Sequence, residues 1–326
     1  MPAARSGAQL SGPMHPPSIP AESATAEWLD GCDGTALRLY RLHGPVSEGP
    51  ALLFGHANGF AAGSYLPFLQ RLTPHMPVFA FDARGHGGAA RPPEPLAQST
   101  HVDLLAHDLA LISAAVRQQM GNDQPLHFAA HSFSGLAALR LGAVHDRMPF
   151  ASACLFEPPL SPTPDLPEHA VSGELSGGLI RAAERRRRDW DSPQAFAERL
   201  AGNPHYAAWD RKMLAAHAAA TLRPKADGAG YELACDPAVE AAGYRMTLNS
   251  STFNFVHRFR CPTLFVASDP PEAGGPPSWA ARMQWLAAER VPNAKLAHLA
   301  GTSHMMLFER PDECMGHLLD PIASTA

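Results

Sequence analysis

The stretch from Leu126 to Gly135 constrains this chain more than any other. Leu126 to Ala130 is a short apolar run of strand length, and Leu136 to Leu141 continues as a helix. Between them lies Ala130-His131-Ser132-Phe133-Ser134-Gly135, with a small residue two positions to either side of Ser132. A strand that runs into a helix through so short a turn has a crowded backbone, and larger neighbours would clash in it. Such a turn lifts the serine hydroxyl out at the top of a parallel sheet. Ser132 is therefore a candidate nucleophile, which points to hydrolysis or acyl transfer. The pattern alone is weak: Ala4-Arg5-Ser6-Gly7-Ala8 matches it near the amino terminus, and a serine before a helix is commonly just an N-cap.

The chain has 326 residues, 45% of them hydrophobic, enough for one large α/β domain with an insertion. A net charge of -5 without a dominant basic stripe argues against a nucleic-acid partner. The cysteines, 5 in all, are scattered without CxxC spacing. They read as free thiols of a reducing compartment, hence a cytoplasmic location. Residues 1–22 form an expected disordered tail, rich in Pro, Ala and Ser near its start. No segment has the apolar length of a membrane span.

Further along, apolar runs alternate with helical periodicity. Ala51 to Phe54 and Val78 to Phe81 read as buried strands, and Tyr65, Phe68, Leu69 and Leu72 fall on one helix face. Leu105, Leu109, Ile112 and Val116 mark a second helix, and Ala151 to Phe156 another strand. The alternation returns near the end: Thr263 to Ala267, Trp279 to Ala288, Lys295 to Leu299, Met305 to Leu318. This order predicts an α/β fold, a mostly parallel sheet with helices on both faces. From Pro158 to residue 256 the pattern becomes helical, without buried strand-like runs, and carries Trp190, Phe196, Tyr206, Trp209 and Tyr244. This segment, 158–256, reads as a helical cap, leaving 23–157 and 257–326 as the core. Arg185 to Arg188 within it read as a solvated helix face.

Three other motifs lie where a Ser132 nucleophile needs partners. Phe54-Gly55-His56-Ala57-Asn58-Gly59-Phe60 follows a strand. Ester cleavage develops negative charge on the carbonyl oxygen, and fixed backbone N–H groups can hold that charge. Those of Asn58 and Phe133 are the expected donors. Asp82-Ala83-Arg84-Gly85-His86-Gly87 reads as a structural turn, with Arg84 able to pair with Asp82. Gly301-Thr302-Ser303-His304 ends the last strand and makes His304 the expected base. The acid that orients His304 is expected at the end of Thr263–Ala267, where Asp269 is the first choice. Glu272, and Glu157 after the preceding strand, are its rivals. Phe60, Met305 and Phe308 are placed to line the substrate site.

Together these motifs resemble the α/β-hydrolase superfamily, in the cap-bearing, serine esterase- and lipase-like branch. The resemblance spans about residues 50 to 311 and includes Glu309-Arg310-Pro311; the cap resembles the same branch through Arg185-Arg186-Arg187 and Gly230 to Pro237. It implies an eight-stranded sheet and the chain order Ser132, Asp269, His304. Departures are Ala130 and Ser134 where the family usually has glycine, Ala57 after His56, and Pro271 near the expected acid position. The implied activity is cleavage of carboxylic esters of small to medium lipophilic molecules through an acyl-enzyme, without metal or cofactor. A thioesterase, a carbon–carbon bond hydrolase and a non-enzymatic small-ligand receptor are the alternatives, and a homodimer is left open.

Overall fold

The computed structural model describes residues 15–121, 123–145, 147–268 and 279–323. Its core strands are β1 (Ala24–Asp30), β2 (Ala36–Leu42), β3 (Ala51–Gly55), β4 (Val78–Asp82), β5 (Leu126–His131) and β6 (Ser152–Phe156). The helices among them are α1 (Leu66–Gln70), α2 (Leu96–Ser99), α3 (Val102–Met120) and α4 (Phe133–Val144). After β6 come α5 (His169–Glu184), β7 (Asp189–Trp190), α6 (Pro193–Ala201), α7 (Arg211–Ala220), β8 (Leu222–Pro224), β9 (Tyr231–Leu233) and α8 (Pro237–Leu248). The chain then returns through β10 (Thr263–Ala267), α9 (Trp279–Arg290), β11 (Ala294–His298), α10 (Met306–Glu309) and α11 (Pro311–Ala323).

The main sheet has 8 strands in the order β1-β2-β4-β3-β5-β6-β10-β11. β1, β2 and β4 pair antiparallel; β4, β3, β5, β6, β10 and β11 run parallel to one another. Strands that read in sequence as continuous apolar runs alternate in space. Leu52 and Phe54 of β3 join one core cluster, with Phe68 of α1, Leu307 of α10 and Leu318 of α11. Ala51 and Leu53 face the other, with Ile112 of α3, Leu139 of α4 and Met283 of α9. Both faces of the sheet are thus covered, which explains why no polar residue interrupts these strands. Each fully buried Leu or Phe contributes about 1.5–3 kcal/mol relative to exposure. Chain direction across the sheet reverses at β3, with β4 on one side and β5 on the other. The carboxyl ends of β3 and β5 therefore open a crevice. No helix among the described residues is long and apolar enough to cross a membrane.

Three details differ from the sequence reading. The inserted segment contains a small antiparallel sheet, β7-β9-β8, whose strands are too short for any alternation to show. Phe253 and Val256, at the end of that segment, are buried against α4 in the sheet core. Within the expected tail, Ile19 is fully buried and Ser18 donates to Asp82 Oδ1 at 3.0 Å.

Candidate active site

Ser132 follows β5 in a left-handed conformation, φ 54° and ψ -112°, which for a non-glycine residue costs about 1–3 kcal/mol. The turn is held from both sides. Ser132 N–H donates to Phe156 O of β6 at 2.8 Å, and Ser132 O accepts from Gly135 and Leu136 at 2.9 and 3.2 Å. The Ser132 side chain makes no capping bond to α4, so its hydroxyl is not spent on the helix. Ser134, standing where a glycine is usual, donates from Oγ to His56 O at 2.7 Å. Gly55 makes that approach feasible, since a Cβ there would lie 2.4 Å from Ser134 Cβ. The turn and the end of β3 are thereby locked together.

His304 lies in the loop after β11. Its Nδ1 is 2.8 Å from Glu157 Oε2. Glu157 is fully buried after β6, and its Oε1 accepts from Ser268 N–H at 2.7 Å and from Ser268 Oγ. Burial alone would raise the Glu157 pKa, but the bonds from His304 and Ser268 hold it below the ordinary glutamate value. Asp269 and Glu272, the other acids expected beside His304, lie outside the described residues. The His304 nitrogen that either would have taken is occupied by Glu157. The His304 loop is shaped by Glu309, which accepts from Ser303 N–H at 2.7 Å and from Ser303 Oγ. This gives a physical reason for the Glu309-Arg310-Pro311 motif.

His131, next to Ser132, ties the site together. Ala57 N–H donates to Tyr65 Oη at 3.3 Å, and Tyr65 Oη lies 2.7 Å from His131 Nδ1. His131 Nε2 lies 2.9 Å from His304 O. A carbonyl only accepts, so Nε2 carries the ring hydrogen and Tyr65 donates to Nδ1. One buried chain of hydrogen bonds thus spans the β3 loop, the serine turn and the His304 loop. The rings of His131 and His304 are 5.0 Å apart. No hydrogen bond among the described residues joins Ser132 to His304 directly.

The backbone N–H groups of Asn58 and Phe133 have no internal partner among the described residues. That of Phe133 is the first of α4, where the helix dipole favours negative charge. The Asn58 side chain is committed elsewhere: Nδ2 donates to Glu240 O of α8 at 2.9 Å, and Oδ1 lies 3.2 Å from His86 Nε2. His56 donates from Nδ1 to Ala57 O at 2.8 Å and accepts from Ala83 N–H at 3.0 Å. It is neutral, its pKa pushed down to about 4 by burial. Arg84 does not pair with Asp82. It meets Asp108 at 2.7 Å and Asp33 at 2.8 Å, while Asp82 accepts from Tyr40 Oη, Ala62 N–H and Gly88 N–H. Arg84 lies beyond the end of β4 and extends toward α3, away from the Asp82 carboxylate.

Of the expected lining residues, Phe60 and Phe308 form one aromatic cluster with ring centroids 5.4 Å apart. Phe308 is fully buried and belongs as much to the core as to the site. Met305 is half-buried against the same cluster. Tyr65, Trp209 and His217 complete it. Tyr65 was legible only as a helix-face residue, and nothing in the sequence around His217 sets that residue apart.

A strained serine turn at the carboxyl edge of this sheet, beside a histidine–carboxylate pair, defines the hydrolase class of α/β folds. The chain belongs to the alpha/beta hydrolase family, whose model matches residues 52–316. No curated protein matches it. It is similar to solved structures at low identity. The structure of E-2-(acetamidomethylene)succinate hydrolase is 17% identical, with a TM-score of 0.71 over 92% of this chain and 99% of that one. The thioesterase domain from the curacin biosynthetic pathway is 19% identical, TM-score 0.65, over 91% and 99%. A malate-bound thermophilic esterase from Thermogutta terrifontis is 15% identical, TM-score 0.63, over 93% and 99%. At such identities the likeness speaks for the fold.

Proposed function

We propose that the protein is a serine hydrolase of carboxylic esters, with Ser132 as nucleophile, His304 as base and Glu157 as the orienting acid. The observation that carries this reading is the 2.8 Å contact between His304 Nδ1 and buried Glu157, beside a serine whose hydroxyl is not used in capping. The carboxylate fixes the tautomer with hydrogen on Nδ1, which leaves Nε2 free to accept the Ser132 proton. Ser132 Oγ attacks the ester carbonyl as His304 takes that proton; the Ser132–His304 contact closes as substrate fills the site. The N–H groups of Asn58 and Phe133 stabilise the oxyanion. His304 then protonates the leaving alcohol, and a water activated by the same ring releases the acid from acyl-Ser132.

Residues 158–256 act as a cap in this reading. Support comes from Asn58 Nδ2, which reaches across to Glu240 O, and from Asp210 N–H, which donates to Phe308 O at 2.7 Å. Both tie the insertion to segments beside the reacting groups. The test is labelling with a fluorophosphonate probe and turnover of 4-nitrophenyl esters of graded chain length. Ser132→Ala abolishes both while leaving the unfolding transition in place. Full turnover by that variant overturns the proposal; labelling without wild-type turnover of any ester indicates a ligand receptor instead.

A further inference from the structure

Two neighbouring rings above the candidate site hold buried nitrogens with no hydrogen-bond partner among the described residues, Trp209 Nε1 and His217 Nε2. Trp209 is 4% exposed and His217 0%. Their rings meet edge to face at 5.5 Å. Both pack on Phe60, at 6.2 and 4.4 Å, and on Phe308, at 4.3 and 6.2 Å. Indole Nε1–H can only donate. The hydrogen on His217 follows from its other nitrogen, which lies 3.2 Å from Ser64 Oγ. Ser64 Oγ already accepts from Ala61 N–H, and no other acceptor among the described residues takes its proton. The hydroxyl therefore donates to Nδ1, and the ring hydrogen sits on Nε2. Both orphan atoms are N–H donors, and native proteins leave few such groups unmet.

A third donor lies on the β3 loop beside Phe60, the ring that both of them touch. Arg186 pairs with Glu240 through Nη1 alone, at 2.7 Å. Its Nε and Nη2 have no protein partner among the described residues, and 23% of the side chain stays accessible. Arg186 Nη1 lies 3.2 Å from where a Cβ on Gly59 would be, so the guanidinium rests on the β3 loop between Asn58 and Phe60. Glycine is required there by its φ of 76° as well as by this contact. Glu240 offsets the Arg186 charge but also fixes the plane of the guanidinium. Discrimination then comes from directed N–H groups more than from net attraction.

We propose that Arg186, Trp209 and His217 form a subsite for a free carboxylate carried by the substrate a few bonds from its ester carbonyl. Trp209 Nε1, His217 Nε2 and the Nε and Nη2 of Arg186 have no acceptor among the described residues, so an oxygen-rich anion is the complementary group. The inference rests on the hydrolase reading and narrows it, from lipophilic esters to half-esters of short dicarboxylic acids.

The test compares monomethyl half-esters from malonate to glutarate with methyl keto-esters in which a methyl ketone replaces the carboxylate. Turnover is followed by pH-stat with the wild-type protein, and binding by calorimetry with Ser132→Ala. The expected result is a preference of about tenfold or more for the acid at one chain length, in kcat/KM and in Kd. That ratio falls below about threefold in Trp209→Phe, which removes the indole N–H, and in Arg186→Gln, which removes the charged guanidinium fork. Equal handling of acid and ketone at every length overturns the subsite, and the orphan donors then point at aromatic faces or a buried water. A ratio that survives both substitutions overturns the assignment to these residues. Unimpaired turnover of the keto-esters by Ser132→Ala instead overturns the hydrolase reading beneath it, so the two failures are distinguishable.

Discussion

Acid should unfold this protein well before its carboxylates take up protons. Burial is the main force holding the His56, His86 and His217 pKa values down, to about 4, about 3 and about 3. The neighbouring His56 adds to the effect at His86, and the Arg186 charge adds to it at His217. In the unfolded chain each ring protonates near the ordinary value of about 6.5. Between those limits the unfolded state binds more protons, so their contribution is complete above about pH 6.5 and drains away as the pH falls toward the folded values. Each ring is worth about 1.4 kcal/mol per pH unit across that window. From pH 7 to pH 5 the loss is about 2 kcal/mol per ring and about 6 kcal/mol for the three, against a typical stability of 5–15 kcal/mol. Buried Asp82 and Asp108, whose pKa values burial raises, act in the opposite sense at the acid end, so a single-residue difference isolates the histidines. Urea unfolding followed by circular dichroism at pH 7.5, 6.5 and 5.5 gives the slope. His217→Gln should flatten it by about 1 kcal/mol between pH 6.5 and 5.5. A wild-type slope near zero between pH 6.5 and 5.5, or a variant slope identical to it, would refute the reasoning.

Other outcomes follow from single contacts. Glu157→Gln should lower kcat by about 10²–10⁴ with the fold retained, because an amide can hold His304 in the wrong tautomer; Asp269→Asn should change kcat by less than about threefold, and steady-state kinetics with one 4-nitrophenyl ester compares the two. Gly55→Ala should destabilise by about 1–3 kcal/mol, since its new Cβ would lie 2.4 Å from Ser134 Cβ. Adding Ser134→Gly should recover part of that loss, which a double-mutant cycle of chemical denaturation reads directly. Tyr65→Phe strands Ala57 N–H and His131 Nδ1 together. The expected cost is about 1–3 kcal/mol of stability, with kcat falling more than KM rises because the His304 loop loses its anchor; unchanged kcat would show that the chain of bonds is purely structural.

Much of the fold could be read from the sequence because both faces of the sheet are covered, so its central parallel strands announce themselves as apolar runs. The strand–turn–helix at Ser132 was legible for a similar reason: small residues are what its crowded backbone tolerates. The acid beside His304 was harder. Glu157 and Asp269 both follow strands, and only the register across β6 and β10, where Phe156 pairs with Val266, brings Glu157 under His304. No local pattern in Glu157-Pro158-Pro159 carries that information. Arg84 illustrates the same limit: its partners Asp33 and Asp108 come from two distant segments, which proximity in sequence to Asp82 obscured. Arg186, Trp209 and His217 come from separate stretches of the insertion, after α5, before α7 and within α7, so no local pattern links them.

The segment preceding β1 changes how the protein should be handled. Ser18 Oγ donates to Asp82 Oδ1 and Ser18 N–H donates to Tyr40 Oη, while Ile19 fills a hole in the core. A recombinant version trimmed to start at Ala21, as its Pro- and Ala-rich beginning invites, would leave a carboxylate short of one donor and uncover an apolar socket. What looks like removable packaging is a wedge, and cutting it away should cost solubility and melting temperature before it costs any catalysis.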